Sequence, residues 1–141
     1  SGREPMKRLI LASVLALGLS GPALAQTAEN PGVEDTIQGQ LEAFKVDDFA
    51  TAFMFASPNI RGMFRTPENF GLMVRQGFPM VWRPADVEFL GLRDEAGQLW
   101  QRVQVRDAQG GLHQLDYNMI ETESGWQING VQMVAMLGVG V

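Results

Sequence analysis

The 141 residues contain no cysteine, so no disulfide supports the fold. Histidine occurs once, as His113, and tyrosine once, as Tyr117. Basic residues are also scarce, with 11 Lys and Arg against 16 Asp and Glu and a net charge of −5. The few that exist are scattered, which makes nucleic acid and anionic membrane poor partners. There is no internal repeat and no low-complexity run. Nor does any apolar run reach the roughly 20 residues that a spanning helix requires.

The longest apolar run, Leu9 to Leu19, has instead the shape of an export signal. Lys7 and Arg8 precede it as a charged region, and Gly21-Pro22-Ala23-Leu24-Ala25 follows with the small residues of an Ala-x-Ala cleavage site. Residues 1–5 read as a cloning remnant ahead of Met6, residues 6–25 as a signal peptide, and cleavage is expected after Ala25. No Cys follows the site, which excludes a lipid anchor, so the expected destination is the periplasm or the medium, with no membrane attachment after cleavage. Residues 1–25 carry Arg3, Lys7 and Arg8 against Glu4, so their removal takes the net charge to near −7. What remains is long enough for one domain with one core. Residues 26–32 read as a mobile leader, and 33–141 as the domain.

The second half of that domain reads as four strands. The turn signals Asp94-Glu95-Ala96-Gly97, Asp107-Ala108-Gln109-Gly110-Gly111 and Glu123-Ser124-Gly125 each supply a glycine for a tight reversal. Connections this short join antiparallel neighbours only, giving a meander from Ala85 to Val134. Alternation assigns Leu99, Val103 and Val105 to one face of their strand and Trp100, Arg102, Gln104 and Arg106 to the other. In the next strand His113, Leu115, Tyr117 and Met119 lie opposite Gln114, Asp116, Asn118 and Ile120. The last strand changes parity between Ile128 and Val131, which predicts a bulge at Asn129-Gly130 in preference to a two-residue hairpin there.

The first half reads as helices. Val33, Ile37, Leu41 and Phe44 form one amphipathic stripe. Asp47-Asp48 opens a second helix carrying Phe49, Ala52, Phe53 and Ala56; a carboxylate pair can also do acid–base or metal chemistry, but capping is the commoner use. Ser57-Pro58 predicts a single helical turn ending near Gly62, and Thr66-Pro67-Glu68-Asn69 a helix whose stripe is Phe70, Met73, Val74 and Phe78, with Gly77 ending it. Residues 78–84 read as an apolar connector. Helices followed by a meander give an α+β fold, with helices packed on a curved four-stranded antiparallel sheet. Phe53, Phe70 and Trp126 are expected to bury against one another.

Several segments carry a resemblance. Leu41-Glu-Ala-Phe44, Asp47-Asp48-Phe49-Ala50-Thr51-Ala52-Phe53, Ala56-Ser57-Pro58, Pro67-Glu-Asn-Phe70, Met73-Val74, Pro79-Met80-Val81-Trp82-Arg83-Pro84 and Gly125-Trp126-Gln127-Ile128-Asn129-Gly130-Val131 look like an exported bacterial family, domain of unknown function 4864. The helix, Asp-Asp, helix opening and the Gly-Trp-x-Ile strand are also similar to the nuclear transport factor 2-like superfamily. That resemblance implies a cone in which helices and a concave sheet enclose a pocket. Superfamily members include isomerases, dehydratases, ligand-binding proteins and dimerisation modules, so the fold selects no function.

The residues must therefore be weighed for chemistry directly. His113 and Tyr117 share a strand face and are the weak catalytic candidates for a lyase or isomerase. Four residues apart, they are about 13 Å from each other along the strand, so only a shared ligand could couple them. A histidine beside a turn is more often a rim residue. The acids Asp86, Glu88, Asp107, Asp116 and Glu121 fall mostly near turns or on the wet face, and Ser57 and Ser124 read as a cap and a turn. Eight Met raise the possibility of a soft metal, yet they are spread out and read better as core filler, with no cofactor expected. The expectation is a binding module. Its pocket for a small apolar ligand would be lined by His113, Tyr117, Met119, Met73 and Trp126, or else a homodimer would form across Trp100, Arg102 and Ile120 on the wet face.

Overall fold

Each long helix starts where a side chain can satisfy its first free N–H groups. In the computed structural model, which describes residues 26–135, Asn30 caps α1 (Pro31–Lys45) by accepting from Val33 N at 3.2 Å. Asp48 caps α2 (Phe49–Met54), Ser57 caps α3 (Pro58–Phe64) and Thr66 caps α4 (Pro67–Gly77) in the same way. A short α5 (Pro79–Trp82) follows. The expected signal peptide and cloning remnant lie outside the described residues.

The meander forms as β2 (Asp86–Glu95), β3 (Gln98–Arg106), β4 (Leu112–Thr122) and β5 (Gly125–Val134), all antiparallel. A two-residue strand, β1 (Gln26–Thr27), adds to the edge of β2 through Gln26 opposite Arg93. The order is β1-β2-β3-β4-β5. The architecture is α+β, with helices first and an open antiparallel sheet after them.

Four expectations need correction. Residues 26–32 are not a bare leader, because they supply β1, the Asn30 cap and the first residues of α1. The connector after Gly77 contains α5, since Pro79 at the first helical position suits a new turn. The Ser57-Pro58 helix runs past Gly62 to Phe64. Trp126 does not join the Phe cluster. It packs against the start of α1, where a Cβ on Gly32 would lie 2.8 Å from its ring, and its carbonyl accepts from Thr36 Oγ1 at 3.1 Å. Phe53 and Phe70 do meet, with ring centroids 5.4 Å apart, and Phe44 lies 6.0 Å from Phe70.

Two bulges curve the sheet, and each is held by a buried polar side chain. Between Asn118–Gly130 and Met119–Ile128 the register gains Asn129, which is the expected bulge. The Ser57 hydroxyl donates to Asn129 Oδ1 at 2.7 Å, and Asn129 Nδ2 donates to Asn118 Oδ1 at 3.3 Å. The residue that caps α3 thus also fixes the bend in β5. A second bulge, at Leu90-Gly91, lies between Phe89–Val103 and Leu92–Gln101. Its freed Leu90 carbonyl accepts from Gln101 Nε2 at 3.1 Å. The chain after α2 docks on the free side of β5, where Ile128 N donates to Phe55 O and Ser57 N to Ile128 O. Helices α1 to α5 therefore cover the concave face, and the core lies between.

Candidate functional site: a cavity under the curved sheet

Between the sheet and helices α3 and α4 lies a cavity of about 240 Å³. Its walls are hydrocarbon and aromatic: Phe44 from α1, Ile60 and Phe64 from α3, Phe70 and Val74 from α4, and Val131 from β5. Met63, at its edge, is 64% exposed, so the apolar lining continues to the surface. Tyr117 and Gln40 bring the polar side chains.

Tyr117 faces inward from the centre of β4 and is 1% exposed. Its hydroxyl has no hydrogen-bond partner among the described residues. Burial pushes its pKa up, so the hydroxyl stays protonated and remains a donor. Gln40 sits on the buried face of α1, and its Nε2 donates to the Ala52 carbonyl at 3.1 Å. That bond fixes the amide orientation, because a carbonyl can only accept, and it leaves Gln40 Oε1 as the group available to a ligand. Tyr117 is the one titratable side chain among the lining residues, so no charge faces the cavity.

The structure divides the expected pocket residues. Met73 and Tyr117 line the cavity. Met119 shares the inward face of β4 but is buried in the core outside the lining, and Trp126 packs on α1 instead. His113 lies apart, in a shallow cleft with Met80, Trp82 and Arg83. His113 and Tyr117 therefore share no cavity, which corrects the expected His/Tyr-lined pocket. His113 Nε2 lies 2.7 Å from Asp107 Oδ2. Asp107 Oδ1 also accepts from Gly111 N at 2.8 Å and Gln109 N at 2.9 Å. These bonds, with His113 the largest contributor, hold the Asp107 carboxyl below its ordinary range. Asp107 is the organiser of the β3–β4 turn, and His113 anchors it.

The other candidates are also placed in structural roles. Asp48 caps α2 through Thr51 N. Asp47, at φ 58°, accepts from Trp82 Nε1 at 2.8 Å and pairs with the Arg83 guanidinium at 3.0 Å. It ties the end of α1 to the end of α5. On the outer face of the sheet Trp100 and Ile120 are half-buried, and Arg102 is engaged within the chain. Asp116 accepts from Arg102 Nε and Nη2 at 3.0 and 2.9 Å, and from Arg93 Nη1 and Nη2 at 3.2 and 2.9 Å. Burial pushes this carboxyl up, but the bonds from the two guanidiniums outweigh it and hold the carboxyl below its ordinary range.

Gln40 escaped the reading of the sequence, although a signal was there. It falls on the stripe of Ile37, Leu41 and Phe44, where a polar residue must find a buried partner. No curated protein and no solved structure matches the chain. One family model does match, that of a domain of unknown function (DUF4864), over residues 26–140, and the chain belongs to that family.

Proposed function

We propose that the protein is a binding module that holds a small apolar ligand in the cavity between its helices and its curved sheet. The observation that carries this reading is a hydrocarbon-walled cavity with two available polar groups, the usual composition of a small-molecule site. The same features fit the nuclear transport factor 2-like cone, in which helices close over a concave sheet. Self-association through Trp100, Arg102 and Ile120 finds less support, because Arg102 is satisfied by Asp116 within one chain. Enzymatic use of His113 with Tyr117 also finds less, because the two line separate concavities.

Binding can be tested with hexafluorobenzene and fluorine NMR. The unmodified protein should bind it, and Ile60→Trp, which fills the cavity from α3, should abolish binding while circular dichroism and the melting transition persist. Absence of binding by the unmodified protein would overturn the reading. Export completes the proposal. The family match begins at Gln26, the residue after the expected cleavage site. Intact-mass analysis of protein recovered from the periplasm should give a chain starting at Gln26; one that retains Met6 would refute export.

A further inference from the structure

We infer that the cavity selects an uncharged ligand of about ten non-hydrogen atoms that carries one oxygen and presents it to the Tyr117 hydroxyl. The inference rests on the reading of the cavity as a ligand site and names the class of molecule it takes.

Size follows from volume. A cavity of about 150 Å³ in another protein holds benzene, with its six heavy atoms. In proportion, 240 Å³ suits about ten. A monocyclic molecule with a short branched substituent has that size, whereas a long acyl chain would extend past Met63 into solvent.

The oxygen follows from Tyr117. Among the described residues Gln101 Oε1 is the one fully enclosed side-chain polar atom without a partner. The Tyr117 hydroxyl is also without one, yet it is not sealed in by packed atoms, so it opens on the cavity. A pure hydrocarbon in the cavity would strip this donor of water and return no bond. A ligand hydroxyl or carbonyl accepts from it. A ligand hydroxyl can in addition donate toward Gln40 Oε1, the second available polar atom.

Neutrality follows from the walls. No Lys, Arg or His lines the cavity to meet a carboxylate, and no Asp or Glu to meet an ammonium. An ionised ligand would lose its hydration without a counter-charge, a far larger cost than one unmade hydrogen bond.

Three molecules of one shape separate these terms: p-cymene, a hydrocarbon; thymol, the same skeleton with one hydroxyl; and 4-isopropylbenzoate, which is ionised at neutral pH. Calorimetry on the intact protein should place thymol about tenfold tighter than p-cymene, equivalent to about 1.4 kcal/mol. The benzoate should bind at least about a hundredfold more weakly than thymol. Tyr117→Phe should retain p-cymene and bring thymol to within about threefold of it. Because Tyr117 is the only tyrosine, a carbon-13 label at tyrosine Cζ reports on it alone in the unmodified protein. Thymol should move that resonance by more than p-cymene does, a readout that survives if Tyr117→Phe fails to fold. Should p-cymene or the benzoate bind as tightly as thymol, or should both neutral ligands shift the label equally, the selectivity inference is overturned while the cavity remains a ligand site. If none of the three binds and hexafluorobenzene fails as well, the binding reading itself falls.

Discussion

Asp116 and Tyr117 are neighbours in β4 and point to opposite sides of one sheet. Both are buried polar residues, and the two sides treat them differently. On the outer face the Asp116 carboxylate receives four hydrogen bonds from Arg93 and Arg102, and Arg93 reaches on to Glu95 at 2.8 Å. On the inner face the Tyr117 hydroxyl has no described partner and borders open space. The buried carboxylate of the outer face is paired within the chain, so this cluster makes no electrostatic demand on a partner. The inner face holds a hydrogen-bond donor that the chain itself does not use. The contrast separates polar groups that support the fold from one that is free to recognise something else.

The largest expected effect tests whether the inner face is anchored as firmly as its free hydroxyl requires. Phe53 packs on Phe70 and is nearly buried, at the junction of α2 and α4. Phe53→Ala should cost about 3–5 kcal/mol in denaturant titration, from lost burial and the void left behind. Because Phe70 also lines the cavity, the variant should bind hexafluorobenzene more weakly as well. A loss below about 1 kcal/mol would mean that α2 contributes little to the wall, and that the cavity is less rigid than the comparison assumes.

Much of this fold can be read in the residues. The caps Asp48, Ser57 and Thr66, the glycine turns and the parity change at Asn129 all act locally, through one or two hydrogen bonds or a single backbone preference, so the chain displays them. The site was legible only in part. Tyr117 and Met73 follow from strand and helix periodicity, but which inward residues border empty space depends on how far the sheet bends. That bend depends on a bulge at Leu90-Gly91 whose stabilising partner, Gln101, sits eleven residues away. Trp126 departs from the expected Phe cluster for a similar reason. Its face was readable, whereas its position along the sheet, over Gly32 instead of Phe53, is set by tertiary docking of α1. The Asp47 link to Trp82 and Arg83 spans 35 and 36 residues and leaves no local trace.

A smaller effect should come from the outer face, where the comparison makes a pH-dependent claim. The Asp116 side chain is 8% exposed, while those of Arg93 and Arg102 are 23% and 33% exposed. Removing one member of a sealed ion pair costs roughly 3–5 kcal/mol; with both guanidiniums partly hydrated, Asp116→Asn should cost about 2 kcal/mol at pH 7. The native carboxyl titrates below its unfolded value of about 3.9, so its contribution is fully present above that value. It is lost as pH falls through the lower native value, where the protonated acid resembles the amide. Urea titrations of the two proteins should therefore differ at pH 7 and converge toward pH 3, with ligand binding in the cavity unchanged at neutral pH. A stability difference that persists undiminished at pH 3 would assign the loss to shape and packing instead of charge. The outer face would then no longer stand as the self-satisfied counterpart of the cavity side.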